Sequence, residues 1–224
     1  MTDDLAARLG RIAALAEPAR RDLYTYVAAQ AEPISRDQAA AGTGLPRHAV
    51  KFHLDRLVHE GLLEVEFRRL TGRQGPGAGR PAKLYRRAAG EVSVTLPGRQ
   101  YDLAARILAE AINAADEGTS IRTAVARAAA EAGRAAGDQA LANTSDPVEA
   151  ATVLASYGYE PRTVDDQTVL VNCPFHALAV DHTELICGMN LEFVRGMTQQ
   201  LGYPDLAIDL EPAPGRCCVI LRSS

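Results

Sequence analysis

Features that would place a chain in a membrane or a secretory pathway are missing from this sequence. No stretch approaches about 18 consecutive apolar residues, which is the length that marks a membrane-spanning helix. The first residues, MTDDLAARLGR, lack the basic flank and apolar core of a secretory leader. We therefore expect a cytoplasmic protein that has no membrane as a partner.

Cysteine is also scarce, since the 224 residues contain only four. In a reducing compartment, thiols, metal ligands and redox groups are more common uses of cysteine than structural disulfides. All four lie in the last 52 residues, as Cys173, Cys187 and the adjacent Cys217 and Cys218. Such clustering favours one shared metal or redox site over four unrelated core positions.

Acidic residues are absent between Arg68 and Arg87, although seven basic residues lie in that stretch. A segment of this charge is typical of phosphate contacts. Charge also divides the whole chain: residues 1–90 hold 15 Lys and Arg against 10 Asp and Glu, whereas residues 91–224 hold 9 against 18. The first part therefore suits nucleic acid, and the second does not.

The length is sufficient for two domains of ordinary size, each with its own core. A short strand-like alternation follows residue 87 and ends at Pro97-Gly98, which marks a boundary. We therefore predict a DNA-binding domain over residues 1–90. A second domain, for sensing and dimerisation, is predicted over residues 91–224.

Residues 33–87 have the pattern of two short helices, a turn and a β-hairpin. Ser35 with Gln38 three residues later is a capping-box pattern, which predicts the start of the first helix. Gly42 to Gly44 forms the predicted turn, and the second helix is predicted from Pro46 to Gly61. The two apolar runs that flank the Gly/Pro/Arg loop predict the hairpin, which is called the wing below.

The second of these helices has one apolar face and one polar face. One apolar face is formed at helical spacing by Val50, Leu54, Leu57 and Val58, which predicts that they are buried. Basic and aromatic side chains on the other face could reach base edges, phosphates and a thymine methyl group. The simpler alternative is a solvated helix face with one isolated aromatic residue. The residues opposite the apolar face are His48, Phe52, Asp55 and Arg56, with Lys51 on the flank and Arg47 in the first turn.

The stretch VKFHLDRLVHEGLLE, followed by GRPAKLYRR, resembles the winged-helix transcriptional regulators of the ArsR/MarR kind. The resemblance covers roughly the first ninety residues. In that family the second helix enters the major groove of double-stranded DNA, and the wing grips the backbone or the minor groove. The resemblance therefore implies a double-stranded DNA operator, bound by Arg47, His48, Lys51 and Phe52 in the groove and by Arg73, Arg80 and Lys83 in the wing.

The second domain reads as α+β, with helices first and then a small antiparallel sheet into which one helix is inserted. Short apolar runs on either side of turn residues predict the strands, and residues 174–201 read as mainly helical. The fold class is therefore α+β, a winged-helix domain followed by an α+β domain. The predicted strands are residues 162–164, 168–172, 206–210 and 217–221.

A predicted helix over residues 119–142 carries a face of small residues that includes Ala129, Gly133, Ala136 and Gly137. Such a face lets a neighbouring backbone approach closely. Alanine alone would also be explained by its helix propensity, but the glycines would not. We expect a homodimer through this face, because two DNA-binding domains related by two-fold symmetry match a palindromic operator.

Three separate elements carry the cysteines, so their sulfur atoms could meet at one point. Neighbours on a strand face opposite sides, so only one of Cys217 and Cys218 is expected to join Cys173 and Cys187. The alternative is that buried cysteines serve as small, inert apolar residues. An enzyme that uses Cys173 with His176 is a further alternative, but no base and oxyanion donor complete such a site.

A histidine could complete a four-ligand site. His176 follows Cys173 at a chelating interval, and His182 precedes Cys187 on the same stretch. A Cys₃His set suits Zn²⁺ in tetrahedral geometry. A thiolate-rich set with one open or non-cysteine position suits an iron-sulfur cluster.

The stretch NCPFHALAVDHTELICGMNLEFVRG, followed by PGRCCVIL, resembles the C-terminal sensory domain of the iron-sulfur-responsive repressor family (SufR). In that family three cysteines hold an iron-sulfur cluster, which the resemblance carries over to Cys173, Cys187 and Cys217. It implies a transcription factor whose occupancy by a metal centre or cluster alters its DNA affinity. A thiol redox sensor without metal and a regulator that binds a small organic ligand are the alternatives.

Overall fold

The computed structural model describes the backbone of residues 2–69, 81–115 and 119–222, with side chains from residue 5 onward. By packing, the chain divides into two compact units, Met1–Val94 (unit 1) and Thr95–Ser224 (unit 2). Each unit has its own apolar core and one small antiparallel sheet beside its helices. The α+β class predicted from the sequence is confirmed.

Unit 1 is a helical head with a three-stranded sheet. Its elements in chain order are α1 (Thr2–Ala14), α2 (Pro18–Ala28), β1 (Ile34–Ser35), α3 (Arg36–Thr43), α4 (Arg47–His59), β2 (Leu63–Arg68) and β3 (Ala82–Arg87). The sheet has the order β1-β3-β2 and is antiparallel throughout. β2 and β3 are the two sides of the predicted wing, and β1 is a short strand that the sequence pattern did not predict.

The core of unit 1 contains the apolar face of α4, as predicted. Val50, Leu54 and Leu57 are fully buried there, together with Leu23 of α2, whereas Val58 is only partly buried against the same core. Full burial of one leucine side chain contributes about 1.5–3 kcal/mol to stability, so this face fixes how α4 lies in the unit. The polar face of α4 is consequently turned to solvent.

The apolar stripe of α1 behaves differently from the stripes of the other helices in unit 1. Leu5, Leu9 and Ile12 remain 39–45% exposed, although they lie on one side of the helix. Among the side chains of α1 that the structure describes, from Leu5 onward, only Ala14 joins the core cluster of unit 1. Within the described part of the chain, this stripe therefore stays largely open to solvent.

Unit 2 places a helical layer beside a four-stranded sheet. Its elements are α5 (Tyr101–Asn113), α6 (Ile121–Ala142), α7 (Ala150–Ser156), β4 (Pro161–Val164), β5 (Gln167–Leu170), α8 (His176–Asp181), α9 (Thr183–Gln200), β6 (Ala207–Leu210) and β7 (Val219–Arg222). The sheet order is β4-β5-β7-β6. Both predicted pairs of strands form, and Asp165 turns the first hairpin with φ of 52°.

Helices α6 and α9 pack backbone against backbone through small residues. A Cβ atom added at Gly133 of α6 would lie 2.1 Å from the carbonyl oxygen of Phe193. One added at Gly196 of α9 would lie 2.2 Å from the carbonyl oxygen of Ala130. The small-residue face of α6, which the sequence analysis assigned to a dimer contact, is therefore filled by α9 of the same chain.

Candidate functional site

The helix-turn-helix geometry of unit 1 follows from local signals in the sequence. The Ser35 side chain accepts a hydrogen bond from the Gln38 backbone N–H, and the Gln38 side chain accepts one from Ser35 N–H, so the capping box closes α3 at its start. Gly44 ends α3 in the left-handed conformation with φ of 71°, a region that favours glycine. Pro46 is the N-cap of α4, so the helix starts one residue later and ends two residues earlier than the predicted Pro46 to Gly61.

The exposed face of α4 is a candidate nucleic-acid interface. Arg47, His48, Lys51 and Phe52 are all exposed, and Phe52 retains 65% of its accessible surface. A large apolar side chain this open on a packed helix is available for contact with a base. Arg47 lies 3.3 Å from Asp37 of α3, whereas Lys51 has no ion-pair partner among the described residues. The exposure predicted for these four residues is present, and DNA contact by them stays a prediction.

The base of the wing is less basic than its sequence suggested, because acids on neighbouring elements pair with its cations. Lys83 of β3 lies 3.0 Å from Asp55 of α4, and its ammonium group lies 5.1 Å from the centroid of the Tyr85 ring. Arg86 faces Glu64 across the β2–β3 register at 2.7 Å. Two other predicted wing contacts, Arg73 and Arg80, lie outside the described residues.

In unit 2, the four cysteines are free thiols that interact in two pairs. The thiol of Cys173 interacts with that of Cys217, and the thiol of Cys187 interacts with that of Cys218. Cys173 follows β5, Cys187 lies in α9, and the adjacent pair immediately precedes β7. The term cysteine cluster is used below for these four residues.

The thiols of the cluster differ strongly in acidity. The hydrogen bond with Cys217 lowers the pKa of Cys173 from 9.0 to about 7, and the nearby Arg99 guanidinium acts in the same direction. The same hydrogen bond, together with burial, raises the pKa of Cys217. Burial and the contact with Cys218 raise the pKa of Cys187 to about 12. Cys173 is therefore the thiol that ionises near neutral pH.

Two buried polar residues, Asn190 and Tyr159, form a chain of hydrogen bonds that ends at the Cys217 sulfur. Asn190 of α9 is 1% exposed, and its side-chain N–H donates to the Cys217 sulfur at 3.2 Å. The hydroxyl of Tyr159, also buried, donates to the Asn190 side-chain oxygen. Burial raises the pKa of Tyr159 well above its ordinary value, so it stays a donor. A buried amide is costly unless it is hydrogen-bonded, so these bonds fix the position of Cys217.

Arg99 and Asn172 tie the start of unit 2 to the cysteine cluster. The Arg99 guanidinium donates to the Asn172 side-chain oxygen and, at 3.1 Å, to the Cys173 carbonyl oxygen. The Asn172 amide donates to the carbonyl oxygens of Gly98 and Gly158. Residues 88–100 form no strand, although the sequence after residue 87 has a strand-like alternation.

The predicted metal ligands are not arranged around one point. His176 and His182 are exposed, at the start of α8 and at its end. Within residues 2–69, 81–115 and 119–222, no group of three His, Cys, Asp or Glu side chains is placed to hold a metal ion. The structure thus gathers Cys173, Cys187 and Cys217 into one neighbourhood, but as members of two thiol pairs.

Four residues of this site were missed by sequence reasoning, namely Arg99, Tyr159, Asn172 and Asn190. Tyr159 and Asn190 are separated by 31 residues in sequence, and Arg99 and Cys173 by 74. An isolated asparagine in an amphipathic helix carries no signal of burial by itself. The available hint was its position three residues after Cys187, which puts both side chains on one face of α9.

Comparison with known proteins agrees with the DNA-binding domain that the sequence predicts for unit 1. Residues 15–66 match the family model described as a helix-turn-helix domain. No curated protein and no solved structure shows significant similarity to the chain. In the described part of the chain, every helix is too short or too polar to cross a membrane. The match over α2, α3, α4 and most of β2 supports a DNA-binding regulator of the winged helix-turn-helix kind.

Proposed function

We propose that the protein is a transcriptional regulator in which unit 1 binds a double-stranded DNA operator and the cysteine cluster of unit 2 senses the signal. The helix-turn-helix match and the exposed polar face of α4 support the first part. The observation that carries the second part is that four free thiols from three elements interact with one another. Clustered thiols respond to metal ions, to iron-sulfur clusters and to oxidants.

The first candidate signal is a metal centre held by Cys173, Cys187 and Cys217. Thiolates are the type of ligand that binds iron-sulfur clusters. A hydrogen bond to a ligand sulfur, such as the one that Asn190 donates to Cys217, adjusts the reduction potential of a cluster. Zn²⁺ with His176 as fourth ligand is less favoured, because His176 is exposed. The present arrangement, with sulfurs in pairs, does not fit either centre, so binding requires these side chains to rearrange.

The second candidate is a thiol redox sensor without metal. It is favoured by one observation, namely that the thiols interact in pairs, each with a half-buried and a buried member. A pair of thiols in contact is the arrangement from which a disulfide forms. Either signal would act on the same residues of unit 2.

A route from the cysteine cluster towards unit 1 runs along the chain itself. Unit 2 begins at Thr95, and its side-chain oxygen accepts a hydrogen bond from the backbone N–H of Arg99 at 3.0 Å. Arg99 in turn is bonded to the carbonyl oxygen of Cys173. A change at Cys173 would therefore alter the segment through which the chain enters unit 2.

We also propose that the regulator acts as a homodimer. Palindromic operators favour a regulator with two DNA-binding domains related by two-fold symmetry. The exposed stripe of Leu5, Leu9 and Ile12 on α1 supplies apolar surface that a second copy could cover. Sedimentation at micromolar concentration tests this proposal. A chain that is monomeric with and without DNA contradicts it, whereas Leu9→Asp is expected to weaken a dimer of this kind.

Anaerobic purification followed by metal analysis and operator-binding measurements tests the proposed function. A brown, oxygen-bleached protein identifies a cluster, and a colourless protein with stoichiometric zinc identifies a zinc site. A metal-free protein whose operator affinity changes on oxidation identifies a redox sensor. If operator affinity is the same with metal, without metal and after oxidation, the cysteine cluster does not control DNA binding.

A further inference from the structure

A cleft in unit 2 opens between the C-terminal half of α6 and the short helix α7. The residues of α6 that line it recur at helical spacing and therefore share one face, namely Ala136, Gln139, Ala140 and Asn143. The lining residues of α7 and its C-cap are Thr152, Val153, Ser156 and Tyr157. The cleft has a volume of about 370 Å³, at the low end of the range found for small-molecule sites. It is called the α6–α7 cleft below.

The floor of the α6–α7 cleft is apolar, and its walls are held by packing within unit 2. Val153, which lines the cleft, is 4% exposed. The Tyr157 ring packs edge-on against Phe193 of α9, with the ring centroids 5.3 Å apart. The loop between α6 and α7 is fixed at Val148, whose carbonyl oxygen accepts a hydrogen bond from the Tyr203 hydroxyl at 3.1 Å. The cleft is therefore formed before any molecule enters it, as most small-molecule sites are.

The rim of the α6–α7 cleft carries polar side chains that have no partner in the protein. The carboxamides of Gln139 and Asn143 are exposed and lie one turn apart on α6, and a third carboxamide comes from Gln100, the N-cap of α5. These side chains and the hydroxyls of Thr152 and Tyr157 make no hydrogen bond to another described residue. A carboxamide offers one acceptor oxygen and two N–H donors, so the rim is able both to donate and to accept.

The α6–α7 cleft is also uncharged. Among the described residues, no Asp, Glu, Lys, Arg or His lines it, although residues 91–224 hold 18 Asp and Glu against 9 Lys and Arg. A charged ligand group would lose hydration in the cleft without gaining an opposite charge, which is costly. An anion would also meet the negative field of this part of the chain. The cleft therefore favours neutral molecules.

We propose that the α6–α7 cleft binds a net-neutral organic molecule that combines an apolar body with amide groups. The apolar body lies on Val153 and the Tyr157 ring, and the amide exchanges hydrogen bonds with Gln139 and Asn143. An amide fits this rim because it carries a donor and an acceptor side by side, as the two carboxamides do. The site goes beyond the proposed function, in which the cysteine cluster alone receives a signal.

The position of Gln100 connects the α6–α7 cleft to the segment through which the chain enters unit 2. Gln100 lines the cleft, and its backbone N–H donates to the Pro174 carbonyl oxygen at 3.1 Å. The preceding residue, Arg99, is bonded to the Cys173 carbonyl oxygen. A molecule that pairs with the Gln100 side chain therefore stabilises the present arrangement of this segment. An effect of that molecule on operator affinity rests on the proposed function, whereas its binding in the cleft does not.

Three probes of nearly equal shape test the proposal on the full-length protein. Benzamide is neutral, benzoate is negative and benzamidine is positive near neutral pH. Each is titrated into isotope-labelled protein while the backbone amide signals are followed by NMR. Benzamide is expected to shift the signals of Ala140, Asn143 and Tyr157 in a saturable way, with a dissociation constant on the order of 1 mM. The two charged probes are expected to bind at least about tenfold more weakly. No saturable shift with benzamide, shifts only outside the cleft, or equal binding of the three probes would each overturn the proposal.

Two alanine positions on α6 supply a matched pair of variants. Ala140→Leu places a larger side chain in the cleft and is expected to abolish the benzamide shifts. Ala135→Leu makes the same change at an exposed position that does not line the cleft, and it should leave benzamide binding within about twofold of wild type. If Ala140→Leu does not fold, Gln139→Ala on the exposed rim decides, since the loss of one hydrogen bond should weaken benzamide binding about threefold to tenfold. Unchanged binding in Gln139→Ala overturns the proposal in either case.

Operator affinity at saturating benzamide separates this site from the proposed function. If benzamide fills the cleft and changes the affinity of the wild type but not of Ala140→Leu, the cleft is a second input to the regulator. If benzamide fills the cleft and operator affinity does not change, the site is correct and its link to DNA binding is wrong. If benzamide does not bind while affinity follows metal content or oxidation, the proposed function is correct and the cleft proposal is wrong.

Discussion

The ammonium group of Lys83 on β3 lies 3.0 Å from the carboxylate of Asp55 on α4. Both side chains are about two-fifths exposed, so solvent screens the pair and it contributes at most about 1 kcal/mol to stability. Its larger consequence concerns DNA, because Asp55 places a negative charge on the face that carries Lys51 and Phe52. This acid limits the electrostatic attraction that α4 and the wing can offer together.

Asp55→Asn should strengthen DNA binding by removing that charge and releasing Lys83. We expect tighter binding to all sequences and a plot of log affinity against log salt that is steeper by about one unit. Fluorescence anisotropy at several salt concentrations measures both. Glu184→Gln breaks a comparable exposed pair with Arg122 in unit 2 and should leave DNA affinity unchanged. Equal effects of the two variants on DNA affinity would show that the net charge of the protein, and not the charge on this face of α4, is responsible.

Phe52→Ala should lower operator affinity without destabilising the protein. Phe52 is 65% exposed, so its truncation removes few packing contacts and should change unfolding free energy by less than about 0.5 kcal/mol. Leu54→Ala, two residues later on the buried face, should cost about 2–5 kcal/mol. Thermal unfolding and operator titration of both variants check this contrast. Loss of stability in Phe52→Ala would mean that this side chain is part of the core.

Gly133→Ala should destabilise unit 2 by about 1–3 kcal/mol or more, because the new Cβ would collide with the Phe193 carbonyl oxygen. Gly188→Ala in α9 is the matched control. A Cβ there meets nothing within 4 Å, so alanine should stabilise the helix by about 0.5–1 kcal/mol. Urea unfolding of the two variants measures the expected loss of stability in Gly133→Ala and the expected gain in Gly188→Ala. A neutral Gly133→Ala is incompatible with the α6–α9 contact.

Cys173 in the reduced, metal-free protein should be alkylated by iodoacetamide in its thiolate form. Because its pKa is lowered from 9.0 to about 7, the rate should rise through pH 7 and level off above it, well before an ordinary cysteine. Cys217→Ala removes the main hydrogen bond and should move the midpoint to higher pH. Cys218→Ala should leave it in place. A wild-type midpoint near 9 would contradict the Cys173–Cys217 contact.

Asn172→Ala should loosen the segment that enters unit 2. The variant loses the hydrogen bonds to Gly98 and Gly158 and leaves the Arg99 guanidinium without one acceptor. We expect a loss of about 1–3 kcal/mol in stability and faster hydrogen exchange at the Gln100 amide, which donates to Pro174. Asn143→Ala, at an exposed position, serves as control. Unchanged exchange at Gln100 would show that Asn172 does not hold the segment through which the chain enters unit 2.

The sequence by itself determined the elements whose signals are local. The Ser35–Gln38 capping box, the Gly44 turn and Pro46 set the limits of α3 and α4, because each acts through backbone groups within a few residues. The helical spacing of Val50, Leu54 and Leu57 also predicted which face of α4 is buried. The strands of unit 2 were predictable for the same reason, since their apolar runs flank turns.

Only the tertiary structure decided which distant groups meet. The pairing of Cys173 with Cys217 and of Cys187 with Cys218 depends on how β5, α9 and β7 pack, and no spacing in the sequence encodes that choice. The small face of α6 was visible in the sequence, but whether α9 or a second copy fills it is a matter of packing. Long-range contacts gain their energy from complementary surfaces that form after the elements do, which is why local patterns identified the cysteines but not their partners.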